Sequence, residues 1–209
     1  MTRLRGQLKV LSTQRNLNQI ILAEGKTVNQ TKPNYPNKPR NIFSTRILSE
    51  ITIFVALATA LSFIIVYTLP QGGSITAGSM VPIIWLALRR GPKIGLIAGA
   101  IHGTIQFAVL PYFIDPIQML LDYQLAFGVL GLAGLFKKQP IIGAATAITA
   151  RFIMHFISGV VYWAPLYVPE LNPYIYSAVY NGSYLVPELI VSGIIVYLLQ
   201  KSKVLNVYL

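Results

Sequence analysis

The sequence predicts an all-α integral membrane protein, with six transmembrane helices in one bundle and both termini cytoplasmic. Three observations point there. Of 209 residues, 54% are hydrophobic and only 11% charged, and the mean hydropathy is +0.59, whereas a soluble domain carries about a quarter charged residues. Apolar runs, most of them close to the length of a membrane helix, recur from Leu48 to Leu199. The basic residues, 17 Lys+Arg against 6 Asp+Glu, gather in alternate connections between those runs. In a soluble protein a net charge of +11 suggests nucleic acid. Here its placement assigns it to topology and to attraction toward anionic lipid, so no nucleic-acid partner is expected. The chain has no cysteine and two histidines without an HExxH pair, which excludes disulfides, thiolate metal sites and a zinc-protease site; no metal is expected.

Residues 1–46 precede the spans. They hold nine basic residues (Arg3, Arg5, Lys9, Arg15, Lys26, Lys32, Lys38, Arg40 and Arg46) against one acid, Glu24, and are rich in Asn, Gln, Thr and Pro. Leu4 to Leu22 has some helical spacing but no run that could span, and no secretory apolar segment is visible. Met1 to Asn41 therefore reads as a disordered or surface-lying basic cytoplasmic tail. The membrane domain, residues 47–209, follows with spans near Leu48–Leu69, Ile75–Leu88, Ile94–Leu110, Ile117–Phe136, Ile141–Val161 and Tyr174–Leu199. The second is short for the roughly 20 residues a span needs, so a tilted, broken or buried segment is expected there.

The connections sort by charge. Arg89, Arg90 and Lys93 lie between spans two and three, Lys137 and Lys138 between four and five, and Lys201 and Lys203 after six. The other three connections have no Lys or Arg, and two of them hold Asp115 and Glu170. The positive-inside rule puts the basic loops and both termini in the cytoplasm.

Few ionisable residues lie within the spans, and each is a functional candidate because a charge in lipid needs a partner or a wet cavity. Asp122 sits six residues past Pro116, roughly 9 Å below the outer end of its span at about 1.5 Å per residue. Its own span has no cation, so it reads either as an ion-pair partner of Arg151 or as an anion awaiting a cationic ligand. His155 and Arg151 stand four apart on one face of span five, with His155 near the level of Asp122 and Arg151 a turn deeper. Glu188 in span six is deeper again. An Arg151–Glu188 structural pair is the expectation, leaving Asp122 without a protein cation. The outer ends are rich in aromatics, among them Tyr162, Trp163, Tyr167, Tyr174, Tyr176, Tyr180 and Tyr184. Headgroup-level anchoring accounts for many of them; a cage of ring faces around a cation is the sharper reading. Tyr174, Asn181, Tyr184 and Glu188 share one face of span six by their spacing. Asn181 could read a heterocycle edge or serve as interhelical glue. Together these residues suggest an outward-facing pocket for a small, flat, cationic ligand. Small residues mark packing faces: Ala56 and Ala60 in span one, and Gly128, Gly131 and Gly134 in span four.

A family resemblance rests on several blocks in order. They are Gly72-Gly-Ser-Ile-Thr-Ala-Gly-Ser-Met-Val-Pro82, Leu88-Arg-Arg-Gly91, Leu120-Leu-Asp-Tyr123, Leu125-Ala-Phe-Gly-Val-Leu-Gly-Leu-Ala-Gly-Leu-Phe136, Arg151-Phe-Ile-Met-His-Phe-Ile-Ser-Gly159 through Trp163, and Tyr176-Ser-Ala-Val-Tyr-Asn-Gly182. From Ile47 to Leu199 the chain resembles the thiamine-specific substrate-binding (S) component of the energy-coupling factor transporters. The resemblance implies that Asp122 contacts the charged vitamin and that Tyr123 completes an acidic–Tyr pair. It sets His155 beside the thiazolium ring and stacks Trp163 on the aminopyrimidine, while Tyr176 and Asn181 hydrogen-bond the ligand. It implies that Ala56 and Ala60 dock on a transmembrane coupling subunit. His102 departs from the family, standing where Tyr or Trp is expected, and is a weaker site candidate. Residues Pro70 to Ser74 lack a tryptophan that some members carry in the first outer loop.

The chain has no GxxxxGK[ST] loop, so no nucleotide is hydrolysed here and no cofactor is expected in this chain. The resemblance assigns ATP hydrolysis to two separate ATPase subunits, with uptake through the cytoplasmic membrane of a prokaryote. An S component or small permease for another vitamin or cationic heterocycle keeps the fold and changes the pocket. An intramembrane enzyme using Asp122, His155 and Glu188 is opposed by their different depths and by the lack of a nucleophile; no catalytic residue is expected.

Overall fold

A computed structural model of the chain describes residues 13–22 and 44–202. Two units are distinguished, Met1–Ile42 and Phe43–Leu209. In the first, residues 13–22 form a helix with every residue exposed. The expectation of a disordered or surface-lying tail otherwise falls on residues outside those described.

Among its described residues the second unit contains helices α1 (Thr45–Ser62), α2 (Val81–Arg90), α3 (Pro92–Val109), α4 (Pro116–Leu135), α5 (Pro140–Tyr167) and α6 (Pro173–Lys201). Among them α1, α4, α5 and α6 are long and apolar enough to cross a membrane by themselves. Proline stands in the first turn of α2 through α6, where its missing N–H would lack a partner anyway. Asp115 and Asn172 cap α4 and α6 by accepting from backbone N–H groups two or three residues on.

The first predicted span is shorter than expected. Its helix ends at Ser62, and Ile65–Thr68 becomes strand β1, antiparallel to β2 at Ser74–Thr76. The cause lies in the run Ile64-Ile65-Val66-Tyr67-Thr68, whose β-branched and aromatic side chains favour extended backbone. Gln71 and Gly72, both at positive φ, turn the chain between the strands.

The second predicted span forms only the ten-residue α2, about 15 Å long and so half a bilayer. It is buried from Val81 through Leu88 except at Trp85. The core forms around it from Ile51 and Val55 of α1, Ala98 of α3, Leu130 of α4, Ala147 and Ile148 of α5, and Val196 of α6. Near the far end from the hairpin, Arg90 grips Glu50 of α1 through Nε at 2.5 Å and through Nη2. Arg89 and Arg46 approach the same carboxylate at 3.3 and 3.5 Å.

Two helices depart from α geometry where the site lies. Leu120–Leu125 in α4 and Gly159–Trp163 in α5 are π-helical, each fitting an extra residue into the turn. Such turns recur at functional sites because they re-aim side chains.

Candidate functional site

A cavity of about 290 Å³ opens between the hairpin and the ends of α3 to α6. Its walls include Gln106, Tyr112, Asp122, Tyr123, Phe127, Arg151, His155, Trp163, Tyr176, Tyr180, Asn181 and Tyr184, with Gln71 to Ser74 of the hairpin turn. A larger depression of about 430 Å³ on the outside of α6 has no charged lining residue, only Leu171, Asn172, Ile175, Tyr176, Val179, Tyr180 and Ser183. Its apolar character suits lipid, so the chemistry belongs to the smaller cavity.

Asp122 is the polar centre. Its Oδ2 accepts from Gln118 Nε2 at 2.7 Å, Ser158 Oγ at 2.8 Å and Trp163 Nε1 at 2.8 Å. Its Oδ1 lies 3.0 Å from His155 Nδ1. On the far side of that ring, Arg151 Nε donates to His155 Nε2 at 3.3 Å. A guanidinium can only donate, so Nε2 must accept and the imidazole proton resides on Nδ1, directed at Asp122. Arg151, His155 and Asp122 thus form a chain in which a neutral histidine separates the cation from the anion. The expectation for Asp122 is the lack of a protein cation; among the described residues no Arg or Lys lies within ion-pair distance of it, and four donors hold it.

The expected Arg151–Glu188 ion pair is not formed; among the described residues, ion pairs within 4.0 Å do not include it. Arg151 instead lays its guanidinium over Phe127, 4.0 Å from the ring centroid, a favourable cation–π geometry. Glu188 Oε1 accepts from Thr76 N at 2.5 Å and Thr76 Oγ1 at 2.7 Å. A buried backbone N–H at the end of β2 needs an acceptor, and Glu188 supplies it, tying the hairpin to α6.

The aromatic residues around the cavity are themselves held by ring and hydrogen-bond partners. Trp163 spends its N–H on Asp122, which fixes the indole plane; the ring stacks on Tyr167 at 5.8 Å and meets Tyr112 edge-on. Tyr176 stacks on Tyr180 at 5.8 Å. Tyr180 Oη accepts from Gly73 N at 3.0 Å and donates to Pro70 O, so it fastens the hairpin turn. Tyr123 Oη donates to Leu110 O at 2.7 Å and accepts from Tyr112 N at 2.9 Å, fastening the α3–α4 connection. Asn181 has both ends of its amide engaged: Nδ2 donates to Ser177 O at 2.9 Å and His155 O at 3.2 Å, and Oδ1 accepts from Tyr184. Tyr174 is exposed and outside the cavity.

His102 is not a cavity residue. It is fully buried, with Nδ1 3.1 Å from Thr59 Oγ1 and its ring edge-on to Phe127 at 4.7 Å. It faces α1 through Thr59, and both its ring and Arg151 contact Phe127. Ala56 and Ala60 lie on the exposed side of α1 beside Thr52, Ile53 and Leu57. Residues that the charge-led reading of the spans passes over include Gln118, Ser158, Gln106 and the hairpin turn. Gln118 is four before Asp122 and Ser158 three after His155, so helical spacing carried the signal for both.

A family model described as thiamine transporter protein (Thia_YuaJ) matches residues 48–207. The thiamine transporter ThiT of Bacillus subtilis is 34% identical over 172 residues, covering 73% of this chain and 88% of that protein. ThiT of Lacticaseibacillus paracasei is 29% identical over 156 residues, 65% of this chain and 77% of its own. The solved structure of ThiT from Listeria monocytogenes superposes with a TM-score of 0.68 at 29% identity, over 75% of this chain and 94% of that one. With most of its length matched from the first helix of the bundle through the last, the chain belongs to the thiamine transporter protein family.

Proposed function

We propose that this chain binds thiamine in the cavity beneath the hairpin and serves as the substrate-binding component of an energy-coupling factor transporter. In that reading it works with a transmembrane coupling subunit and two ATPase subunits. Family membership supports thiamine uptake. The observation that carries the site is Asp122, a carboxylate steered by His155, Gln118, Ser158 and Trp163 and set against an oriented indole. Thiamine is a flat cation with two aromatic rings. A desolvated cation over a ring gains about 2 kcal/mol, and a charge-assisted hydrogen bond up to about 3 kcal/mol. The charged thiazolium and the stacking aminopyrimidine are each needed to collect both terms.

The alternating basic loops support cytoplasmic termini and a cavity open to the outside of a prokaryotic cytoplasmic membrane. The exposed small-residue face at Ala56 and Ala60 supports docking of α1 on the coupling subunit. The role of the cavity is binding, not catalysis. Isothermal titration with thiamine, with its pyrimidine half and with its thiazolium half tests the assignment. Whole thiamine is expected to bind at least about a hundredfold tighter than either half, since roughly 3 kcal/mol separates them. Equal affinity for the pyrimidine half and the vitamin would sink the role given to Asp122, and no binding of thiamine would sink the function.

A further inference from the structure

The amino-terminal unit lies outside the family match, which begins at residue 48, and the ligand cavity gives it no role. Its helix at residues 13–22 carries Leu17, Ile20 and Ile21 at spacings of three and four, hence on one face. They are exposed by 52%, 55% and 62%. Arg15 and Gln19 occupy the opposite face by the same geometry, with Leu22 beside them and Asn18 at the flank. A ten-residue helix is marginal in water, so an uncovered apolar stripe on one calls for a covering surface. In sequence, Arg3, Arg5, Lys9 and Arg15 all precede the first acid, Glu24.

We propose that the helix at residues 13–22 binds the surface of an anionic lipid bilayer. Leu17, Ile20 and Ile21 enter the headgroup boundary, and the four cations are drawn to the lipid phosphates. An apolar stripe combined with uncompensated basic charge is the composition of an interfacial helix. The bundle supplies the proximity. Twenty-two residues separate Leu22 from Thr45, a reach of up to about 70 Å when extended, so a bilayer holding the bundle is always within range of the helix and binding is effectively intramolecular. Nucleic acid would use the cations and leave the stripe uncovered. The inference rests on the bundle residing in a bilayer and not on the identity of its ligand.

The absence of native cysteine makes site-specific labelling of the full chain direct. Ile21→Cys and Gln19→Cys variants, each carrying an environment-sensitive dye, are placed in nanodiscs of phosphatidylcholine alone or with about 30% phosphatidylglycerol, an anionic content that attracts basic segments. Acrylamide quenching is then measured. The position-21 dye is expected to be blue-shifted and shielded in the anionic discs and accessible in the neutral ones, while the position-19 dye stays accessible in both. Raising salt to about 0.5 M should expose the position-21 dye by screening. Each cation near such a surface is worth roughly fivefold in binding, so replacing Arg3, Arg5 and Lys9 with Gln should weaken the association about a hundredfold and expose the dye again. Equal quenching at both positions in anionic discs overturns the proposal. So does shielding of position 21 in the neutral discs equal to that in the anionic ones, which would mean that anionic lipid is not what covers the stripe. Neither readout needs thiamine, so this inference and the assigned ligand stand or fall separately.

Discussion

Each of the four donors around Asp122 removes a freedom that a ligand would otherwise have to remove on binding. Gln118, one helical turn away, and Ser158 on α5 hold Oδ2, and Trp163 ties its ring plane to the same atom. His155 reaches Oδ1 and is itself braced by Arg151. In Asp122→Asn the amide keeps the shape and loses the charge, and its oxygen can take the place of Oδ2 and go on accepting from Gln118, Ser158 and Trp163. Thiamine affinity should fall about hundredfold, the order of one charge-assisted hydrogen bond, by titration calorimetry, with an unchanged melting temperature. A variant that binds as tightly as the parent would show that the carboxylate is a structural hub only. Asp122, His155 and Trp163 were legible in the sequence because a charge, an imidazole and an indole are conspicuous in apolar spans. Gln118 and Ser158 were not, since uncharged polar residues serve as ordinary glue between membrane helices. Arg151 was misjudged in partner because an aromatic face, Phe127, competes with a carboxylate for a guanidinium, and charge counting ignores rings.

At the level of elements, the site depends on two π turns and a hairpin, and none of these shows in a hydropathy pattern. Leu120–Leu125 and Gly159–Trp163 are apolar on most sides, so one extra residue in the turn leaves no break in periodicity. Strand β1 was hidden at the end of the run taken as span one and most of β2 at the start of span two, although the β-branched stretch from Ile64 and the Pro70-Gln-Gly-Gly73 turn carried the hairpin's signature. Two anchors hold it over the cavity: Glu188 takes Thr76 at the root, and Tyr180 takes Pro70 and Gly73 at the turn. Tyr180→Phe removes the second anchor and keeps the ring that stacks on Tyr176. Two hydrogen bonds at about 0.5–1.5 kcal/mol each predict a thiamine release rate about tenfold faster, followed by stopped-flow tryptophan fluorescence. An unaltered release rate would mean that Glu188 alone keeps the hairpin in place.

Across the whole molecule, the cavity exists because α3 and α4 meet backbone to backbone. Gly95, Gly99 and Gly103 recur every fourth residue along α3, and a Cβ at these positions would lie 2.7 Å from Gly131 Cα, 2.1 Å from Phe127 O and 2.3 Å from Tyr123 O. On the α4 side, a Cβ at Gly131 would lie 2.2 Å from Leu96 N. The glycines of α4 were readable as a packing face, and the matching series on α3 was equally open to reading by its period of four. This contact sets the distance from Gln106 on α3 to Asp122 and Tyr123 on α4, all of which line the cavity. Gly99→Ala therefore does two things. It forces the helix axes apart against rigid backbone, at a cost of about 1–3 kcal/mol, and it draws Asp122 away from the opposite wall. The melting temperature of the free protein should drop and thiamine affinity should weaken together. Gly182→Ala on α6 is the control, because a Cβ there meets nothing within 4 Å and alanine favours the helix by roughly 1 kcal/mol. That variant should melt no lower than the parent and bind as well. If both substitutions behave alike in differential scanning fluorimetry and titration, helix propensity is what matters, and the close approach of α3 to α4 has no part in shaping the site.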